Sequence, residues 1–166
     1  ETKPEDIPLY LSSVPKNSVL LGLFYQDWLE KEAKKQGLGQ KAPAQRMKDF
    51  IEGRYSETLP SCSYAPGLVS SRLDLWLPLP LVQKLQVAFA EFNKCMRGFI
   101  AEDALLVAVE TRTSSPVRIV RDKENLECLG LKGLYPAGEG SGYAGGIVSS
   151  AMDGERVADS IARMFE

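Results

Sequence analysis

The residues best suited to chemistry lie in one glycine-rich run near the end of the sequence, Gly133–Val148. Six of the 14 glycines fall between Gly133 and Gly146, and the acidic residue Glu139 stands between two of them. Each glycine costs conformational entropy on folding, so packing alone explains this density poorly. Backbone without Cβ atoms can lie directly against a ligand, and a carboxylate can accept hydrogen bonds from two hydroxyl groups at once. The run therefore predicts a binding site for a polar or anionic ligand.

The elements on either side of the run predict how it is positioned. Leu131–Ala137 is apolar and predicts a short strand before the glycines. After the glycines, apolar residues recur at three- and four-residue steps and predict an amphipathic helix; they are Ile147, Ala151, Ala158, Ile161 and Phe165. A helix that begins directly after such a turn presents N–H groups and the positive end of its dipole to an anion. We expect Gly145, Gly146 and Ile147 to supply these N–H groups.

The run contains a G-x-G-x-x-G match at residues 140–145, which we do not expect to be a Rossmann fingerprint. That fingerprint needs a second strand after the helix, with an acidic residue about 20 positions further on. The sequence ends at Glu166, within or just after the predicted helix, and it has no Gly-Lys-Ser/Thr for a Walker A loop. We therefore expect the closing strand–turn–helix of a nucleotide-binding fold and not its opening.

Two segments resemble the C-terminal region of bacterial FAD-dependent dehydrogenases, often described as NAD(FAD)-utilising. The segments are residues 110–119 and residues 133–147, the latter followed by Asp153-Gly154, and the likeness is close over residues 105–158. Such flavoproteins resemble the glutathione-reductase type, in which two distant pieces of the chain build the FAD site. The resemblance implies that an N-terminal G-x-G-x-x-G holds the ADP half. It also implies that this chain closes over the ribityl and flavin half.

The resemblance implies roles for individual residues. Glu139 is expected to accept hydrogen bonds from the ribityl hydroxyls, and the helix start to face the N1–C2=O edge of the flavin. Tyr143 either lies near the flavin or caps the apolar start of the helix. Arg112 either contacts cofactor or substrate, or pairs with a nearby acid such as Glu110. The candidate cofactor-binding residues are thus Gly138, Glu139, Gly140, Tyr143, Gly145, Gly146, Ile147 and Arg112. The sequence assigns no catalytic residue.

Composition excludes several classes of function. A net charge of −2 and a pI near 5.4 give no electrostatic case for binding nucleic acid or an anionic membrane. The absence of histidine removes Ser-His-Asp and Cys-His catalysis and His-ligated metals, and three widely spaced cysteines suit neither a disulfide framework nor a zinc site. These two features also lead us to expect no metal site. No stretch approaches 18 apolar residues and no signal peptide is recognisable, so we expect a soluble, cytoplasmic protein.

The pattern along the chain predicts an α+β fold, as part of an α/β FAD-binding flavoprotein. We expect a mainly helical substrate-side domain over residues 1–103 and a portion of the FAD-binding domain over residues 104–166. Predicted helices run from Pro15–Ser18 to Gly37, from near Pro43 to Gly53, and over Leu81–Lys94. Predicted strands cover Leu73–Leu77, Leu105–Glu110, Val117–Val120 and Leu126–Leu129, while Ser56–Pro80 is expected to be mostly irregular and Arg118 and Arg121 to face solvent.

The sequence therefore predicts the C-terminal portion of an FAD-dependent oxidoreductase, with FAD as cofactor and NAD(P) as a candidate second cofactor. Its partners would be the N-terminal FAD-binding part of the same polypeptide and a small-molecule substrate. Alone, the chain is expected to bind FAD weakly or not at all and to be inactive. Two alternatives stay open, namely a stand-alone anion- or nucleotide-binding module and a structural or assembly domain.

Overall fold

The computed structural model describes residues 7–8, 15, 17–112 and 114–165, and these residues form an α+β fold. The described part contains five helices and three strands, in the order α1 (Leu21–Gln36), β1 (Ala42–Arg46), α2 (Met47–Glu52), β2 (Leu68–Ser70), α3 (Leu73–Trp76), α4 (Leu79–Cys95), β3 (Leu105–Val107) and α5 (Ile147–Ala162). The predicted α+β class is confirmed.

The chain divides into two compact units. The first contains residues 1–16 and 24–110, and the second contains residues 17–23 and 111–166. The first unit holds all three strands, and the second holds α5. The substrate-side and FAD-binding domains predicted from the sequence, with a boundary at residue 103, stay a prediction.

The sheet of the first unit has the strand order β2-β1-β3. The central strand β1 pairs parallel with β2, with Ala42 opposite Leu68, and antiparallel with β3, with Ala44 opposite Val107. The strand predicted at Leu105–Glu110 is therefore confirmed over its first three residues. The sequence predicts a helix start near Pro43, because proline is favoured at the first position of a helix. The structure places Pro43 in the central strand β1 instead, where proline is rare. Pro43 takes part through its carbonyl oxygen, which accepts the Ala108 N–H at 3.0 Å.

The helix expected from Pro43 to Gly53 is shorter than predicted. α2 begins only at Met47, immediately after β1, and it ends where predicted, because Gly53 adopts a left-handed conformation with φ 65°. Its side chain Phe50 is fully buried and meets Phe89 of α4 edge to face, with 6.1 Å between ring centroids. This contact joins α2 to α4 in the core of the first unit.

A hydrogen-bonded group of polar side chains lies in the same unit. Gln45 is fully buried and donates to the Arg54 carbonyl at 2.7 Å and to Asp74 at 2.8 Å. Arg72 pairs with the same carboxylate at 2.5 Å. Burial raises the pKa of Asp74, but the hydrogen bonds from Arg72 and Gln45 outweigh it and hold that pKa below its ordinary value. The group ties β1 to α3 with directional contacts.

Two predicted helices are confirmed and several predicted strands are wrong. α1 ends immediately before Gly37 as predicted, and α4 covers the predicted Leu81–Lys94. Leu73–Leu77 is not a strand: residues 73–76 form the short helix α3, and Leu77 follows it. Leu73 and Leu77 lie four residues apart and both are buried, which fits one helical turn. Ser56–Pro80, expected to be mostly irregular, contains β2, α3 and the start of α4.

The strands predicted in the second unit do not form within the described part of the chain. Val117–Val120, Leu126–Leu129 and Leu131–Ala137 lie outside every strand, and the pairing there is one isolated bridge between Arg121 and Cys128. A strand is stable only when a neighbouring strand satisfies its N–H and C=O groups along its length. These apolar segments have no such partner in the described residues.

Candidate functional site

The glycine-rich run forms consecutive turns that lead directly into α5. The Gly142 N–H donates to the Glu139 carbonyl at 2.9 Å, and the Tyr143 N–H donates to the Gly138 carbonyl at 3.0 Å. Gly138 and Gly142 both adopt left-handed conformations, with φ 70° and 83°. The predicted glycine turn and helix start are therefore confirmed, although the strand predicted before them is absent from the described residues.

Gly142 is the position at which the turn comes closest to another segment. A Cβ atom there would lie 2.6 Å from the Val117 carbonyl oxygen and 3.0 Å from the Arg118 Cα. Both neighbours are backbone atoms, which cannot move aside as a flexible side chain can. Only glycine therefore satisfies the conformation and the space at this position.

We expect Gly142→Ala to lower the free energy of unfolding of the second unit by about 3 kcal/mol. The left-handed conformation contributes about 1–2 kcal/mol and the overlap with backbone about 1–3 kcal/mol. Gly140→Ala is the matched control, because a Cβ at Gly140 meets nothing within 4 Å. Hydrogen exchange of the α5 amides measures both variants, and equal effects at the two positions would contradict this account.

A buried ion pair connects the turn to α5. The Arg121 Nη2 lies 2.6 Å from the Asp153 Oδ1, and the two side chains are only 5% and 7% exposed. Arg121 also donates to the Pro136 carbonyl at 2.5 Å, and Asp153 accepts the Gly138 N–H at 2.9 Å. The hydrogen bond from Arg121 holds the pKa of Asp153 below its ordinary value of 3.8, although burial opposes this. The carboxylate is therefore charged at neutral pH.

Tyr143 packs against this pair. The Arg121 guanidinium lies 3.7 Å from the centroid of the Tyr143 ring, and the Arg118 guanidinium lies 5.0 Å from it. The Tyr143 hydroxyl donates to the Ile119 carbonyl at 3.0 Å and accepts the Arg121 N–H at 3.1 Å. Tyr143 thus links the glycine turn to residues 119–121 through two hydrogen bonds. Its predicted place near the flavin stays a prediction.

The prediction that both arginines face solvent is half right. Arg118 is exposed and donates to the Gly142 carbonyl at 2.8 Å, whereas Arg121 is 8% exposed and its guanidinium is buried with Asp153. The prediction failed at Arg121 because it assumed a strand with alternating faces, and no strand forms there. A signal was present in the helix, where Asp153 lies four residues before the buried Val157 and so shares its face.

Glu139 and Gly140 lie at the outer side of the turn. The Glu139 side chain is half-buried, and its carboxylate has no hydrogen bond or ion pair within the described residues. Gly140 is exposed, its φ is not in the left-handed region, and a Cβ there meets nothing within 4 Å. Neither backbone conformation nor packing within the described chain thus requires glycine at 140. A ligand that approaches the backbone from outside would require it.

The N-terminus of α5 is open to solvent. Gly146 caps the helix, and its N–H donates to the Ser149 hydroxyl at 3.1 Å, so Ser149 already satisfies one of the three N–H groups predicted to be free. The N–H groups of Gly145 and Ile147 have no acceptor within the described part of the chain. Ile147 is 92% exposed and Val148 72% exposed. An open polar end therefore lies beside two exposed apolar side chains.

Arg112 lies on an exposed segment at the start of the second unit, which also contains the glycine turn. The next residue, Thr113, falls outside the described residues. The binding roles predicted for Arg112 and for the residues of the turn stay predictions.

Comparison with known proteins identifies the family. The family described as "FAD-dependent protein, C-terminal domain-like" matches residues 9–113. The chain belongs to this family. The match lies mostly outside residues 105–158, over which the sequence resemblance is close, and it ends before the glycine-rich run. Membership in the FAD-dependent C-terminal family therefore rests mainly on residues of the first unit, and not on the predicted cofactor-binding turn.

A related protein of Clostridium beijerinckii is 42% identical over 155 residues, which cover 90% of this chain. Its name, "Uncharacterized protein", assigns it no activity. The chain spans only 28% of the length of that relative. Most of the relative's polypeptide thus lies outside the region compared.

Two kinds of feature are absent from the described residues. They contain no helix that is long and apolar enough to cross a membrane. They also contain no group of three or more His, Cys, Asp or Glu side chains that could hold a metal ion.

Proposed function

We propose that this chain is the C-terminal portion of an FAD-dependent oxidoreductase and that its glycine turn closes the ribityl and flavin half of the FAD site. The observation that carries the proposal is the combination at the turn: the carboxylate of Glu139 and the N–H groups of Gly145 and Ile147 all lack a partner among the residues that the structure describes. They occur in a chain of an FAD-dependent family. When bound, FAD would supply hydride transfer, with NAD(P)H as a candidate donor and a small molecule as substrate.

The groups at the turn fit the flavin half of this cofactor. An ionised carboxylate accepts strong hydrogen bonds from adjacent hydroxyls, which suits Glu139 to a ribityl chain. N–H groups at the start of a helix stabilise negative charge, which suits Gly145 and Ile147 to the pyrimidine edge of a flavin. The exposed Ile147 offers apolar contact to a flat aromatic ring.

The partner of this half-site would be the remaining part of a longer polypeptide. The length of the Clostridium beijerinckii relative supports this, because 72% of that protein lies beyond the matched region. Exposed apolar residues on the unpaired segments of the second unit support it as well; they are Ile119, Val120, Leu129, Leu131 and Leu134. We propose that Leu131–Ala137 pairs with a strand of that remaining part, which would complete the strand that the sequence predicted.

We expect Glu139→Gln to weaken FAD binding to the full-length protein about tenfold. Glutamine keeps the size and one acceptor oxygen but loses the charge, and charged hydrogen bonds are stronger than neutral ones by about 1–1.5 kcal/mol. Glu155→Gln makes the same change at an exposed position of α5 and is the control. Calorimetric titration with FAD measures both, and unchanged affinity in Glu139→Gln would remove Glu139 from the site.

A stand-alone nucleotide-binding module would give a different result. In that case the 166-residue chain would bind adenine nucleotides or phosphate compounds in the same titration, with no preference for FAD and no need of further sequence. That outcome would replace the proposed function.

A further inference from the structure

The Asp153 carboxylate accepts three hydrogen bonds from two other segments of the second unit. The Arg121 Nη1 and Nη2 lie 3.0 and 2.6 Å from its two oxygens, and the Gly138 N–H donates to the Oδ2 at 2.9 Å. Arg121 donates in addition to the Pro136 carbonyl. The ion pair of Arg121 and Asp153 therefore binds the backbone on both sides of Ala137, where the glycine turn begins.

The same pair is fixed to the start of α5. Asp153 lies seven residues after the capping Gly146, which is about two helical turns, so both residues share one side of the helix. A shift of the Asp153 carboxylate would move the entry of the turn relative to the helix N-terminus. Glu139 directly follows Gly138, whose N–H is bound by Asp153. The Glu139 side chain has no hydrogen bond or ion pair within the described chain. Its location therefore depends on the backbone at Gly138.

Stability alone is a weak reason for a buried ion pair. The cost of removing both charges from water offsets much of their attraction, and well-packed apolar residues of similar size often stabilise a protein equally well. Unlike apolar contacts, a hydrogen-bonded ion pair is directional, because each hydrogen bond fixes an angle as well as a distance. One of the bonds here ends on the Gly138 N–H, directly before Glu139, and another ends on the Pro136 carbonyl two residues earlier.

We infer that Asp153, oriented by Arg121, is a positioning residue for cofactor binding: it fixes Gly138 and thereby places the Glu139 carboxylate beside the N-terminus of α5. The inference rests on the proposed function. It assigns the pair a role in affinity for the cofactor that is separate from its role in folding. Asp153 acts through Glu139 and does not contact the ligand itself.

The test is a set of FAD titrations on the full-length protein. The variants are Glu139→Gln, the double replacement Arg121→Met/Asp153→Leu, and the triple combination, with Asp159→Asn on the exposed side of α5 as control. We expect Glu139→Gln and the double replacement each to raise the dissociation constant about tenfold, and the triple variant to stay within about twofold of Glu139→Gln. Effects that act through one group do not add, whereas independent effects multiply to about a hundredfold.

A second variant covers the case in which the double replacement does not fold. Asp153→Asn keeps one oxygen that can accept the Gly138 N–H, but it loses the charge and puts an NH2 donor in place of the second oxygen that accepts from Arg121. We expect a rise of about threefold in the dissociation constant, which disappears when Glu139→Gln is already present. Thermal unfolding of each variant confirms that the titrations are made on folded protein.

The inference is overturned if a folded pair variant binds FAD as tightly as the natural protein, or if its effect multiplies with that of Glu139→Gln. Failure of the proposed function looks different. In that case the natural protein ignores FAD, or Glu139→Gln leaves the affinity unchanged, whatever the pair variants do.

Discussion

Arg121→Met should lower the free energy of unfolding of the second unit by about 3–5 kcal/mol at neutral pH. Methionine keeps much of the length of the side chain but leaves the Asp153 carboxylate charged and 7% exposed, without its cation. Removing one partner of a buried pair costs this much because an uncompensated charge stays in a poorly solvated place. The Pro136 carbonyl loses its donor as well.

The probe must report on the second unit. Trp28 and Trp76 are the two tryptophans of the chain and both belong to the first unit, so their fluorescence does not follow α5. Hydrogen exchange of the α5 amides in urea does. Arg118→Met is the matched control, because Arg118 contacts the same tyrosine ring from an exposed position, and we expect it to cost about 1 kcal/mol. Equal losses in the two variants would contradict the account.

The same variant predicts a dependence on pH. In the natural protein the folded pKa of Asp153 lies below its ordinary value of 3.8, so its contribution is complete above about pH 4 and falls as the pH drops through the folded pKa. Without Arg121, burial raises this pKa, and protonation relieves the buried charge. The difference between the two proteins should therefore begin to narrow above about pH 4, as the pH falls through the raised pKa of Asp153 in the variant. It should narrow further as the pH falls through the lowered pKa of Asp153 in the natural protein. A difference that is constant down to pH 3 would contradict this cause.

Phe50→Ala should lower the free energy of unfolding of the first unit by about 3–5 kcal/mol. Phe50 is fully buried and joins α2 to Phe89 of α4, so its loss removes apolar contact and leaves a cavity. Urea unfolding followed by tryptophan fluorescence suits this unit, because both tryptophans lie in it.

Phe92→Ala is the control for this prediction. Phe92 is 46% exposed and meets Phe99 edge to face at 5.5 Å, so truncation there should cost about 1 kcal/mol. Similar losses at both positions would mean that α2 is not part of the core. Phe50 lies within residues 9–113, the region matched by the family, so the experiment also tests whether α2 belongs to a packed core in that region.

The helices could be predicted from the sequence because their signals are local. The apolar spacing of α1, α4 and α5 and the glycine after α1 are contained in the segments themselves. β1 could not be predicted, since it contains Pro43 and depends on β2 and β3, which lie about 25 and 60 residues further along the chain. Strand pairing is a property of distant segments, and the apolar pattern of Leu131–Ala137 carries no information about its partner.

The candidate site divides in the same way. The glycines, Glu139 and the start of α5 were predicted because residue type and order mark a turn before a helix. The pair of Arg121 and Asp153 was missed because its members lie 32 residues apart and each, alone, resembles a surface charge. The burial of both side chains shows that they are not surface charges, and this burial depends on the fold of the whole second unit.

The most direct test of the proposed function is the visible absorption spectrum of the full-length protein, as purified and after addition of FAD. The account predicts a flavin band with about one FAD per chain in the full-length protein and little or none in the 166-residue chain. A full-length protein that is colourless and ignores added FAD would contradict it. So would a 166-residue chain that purifies yellow with stoichiometric flavin, because the second half of the FAD site would then be unnecessary.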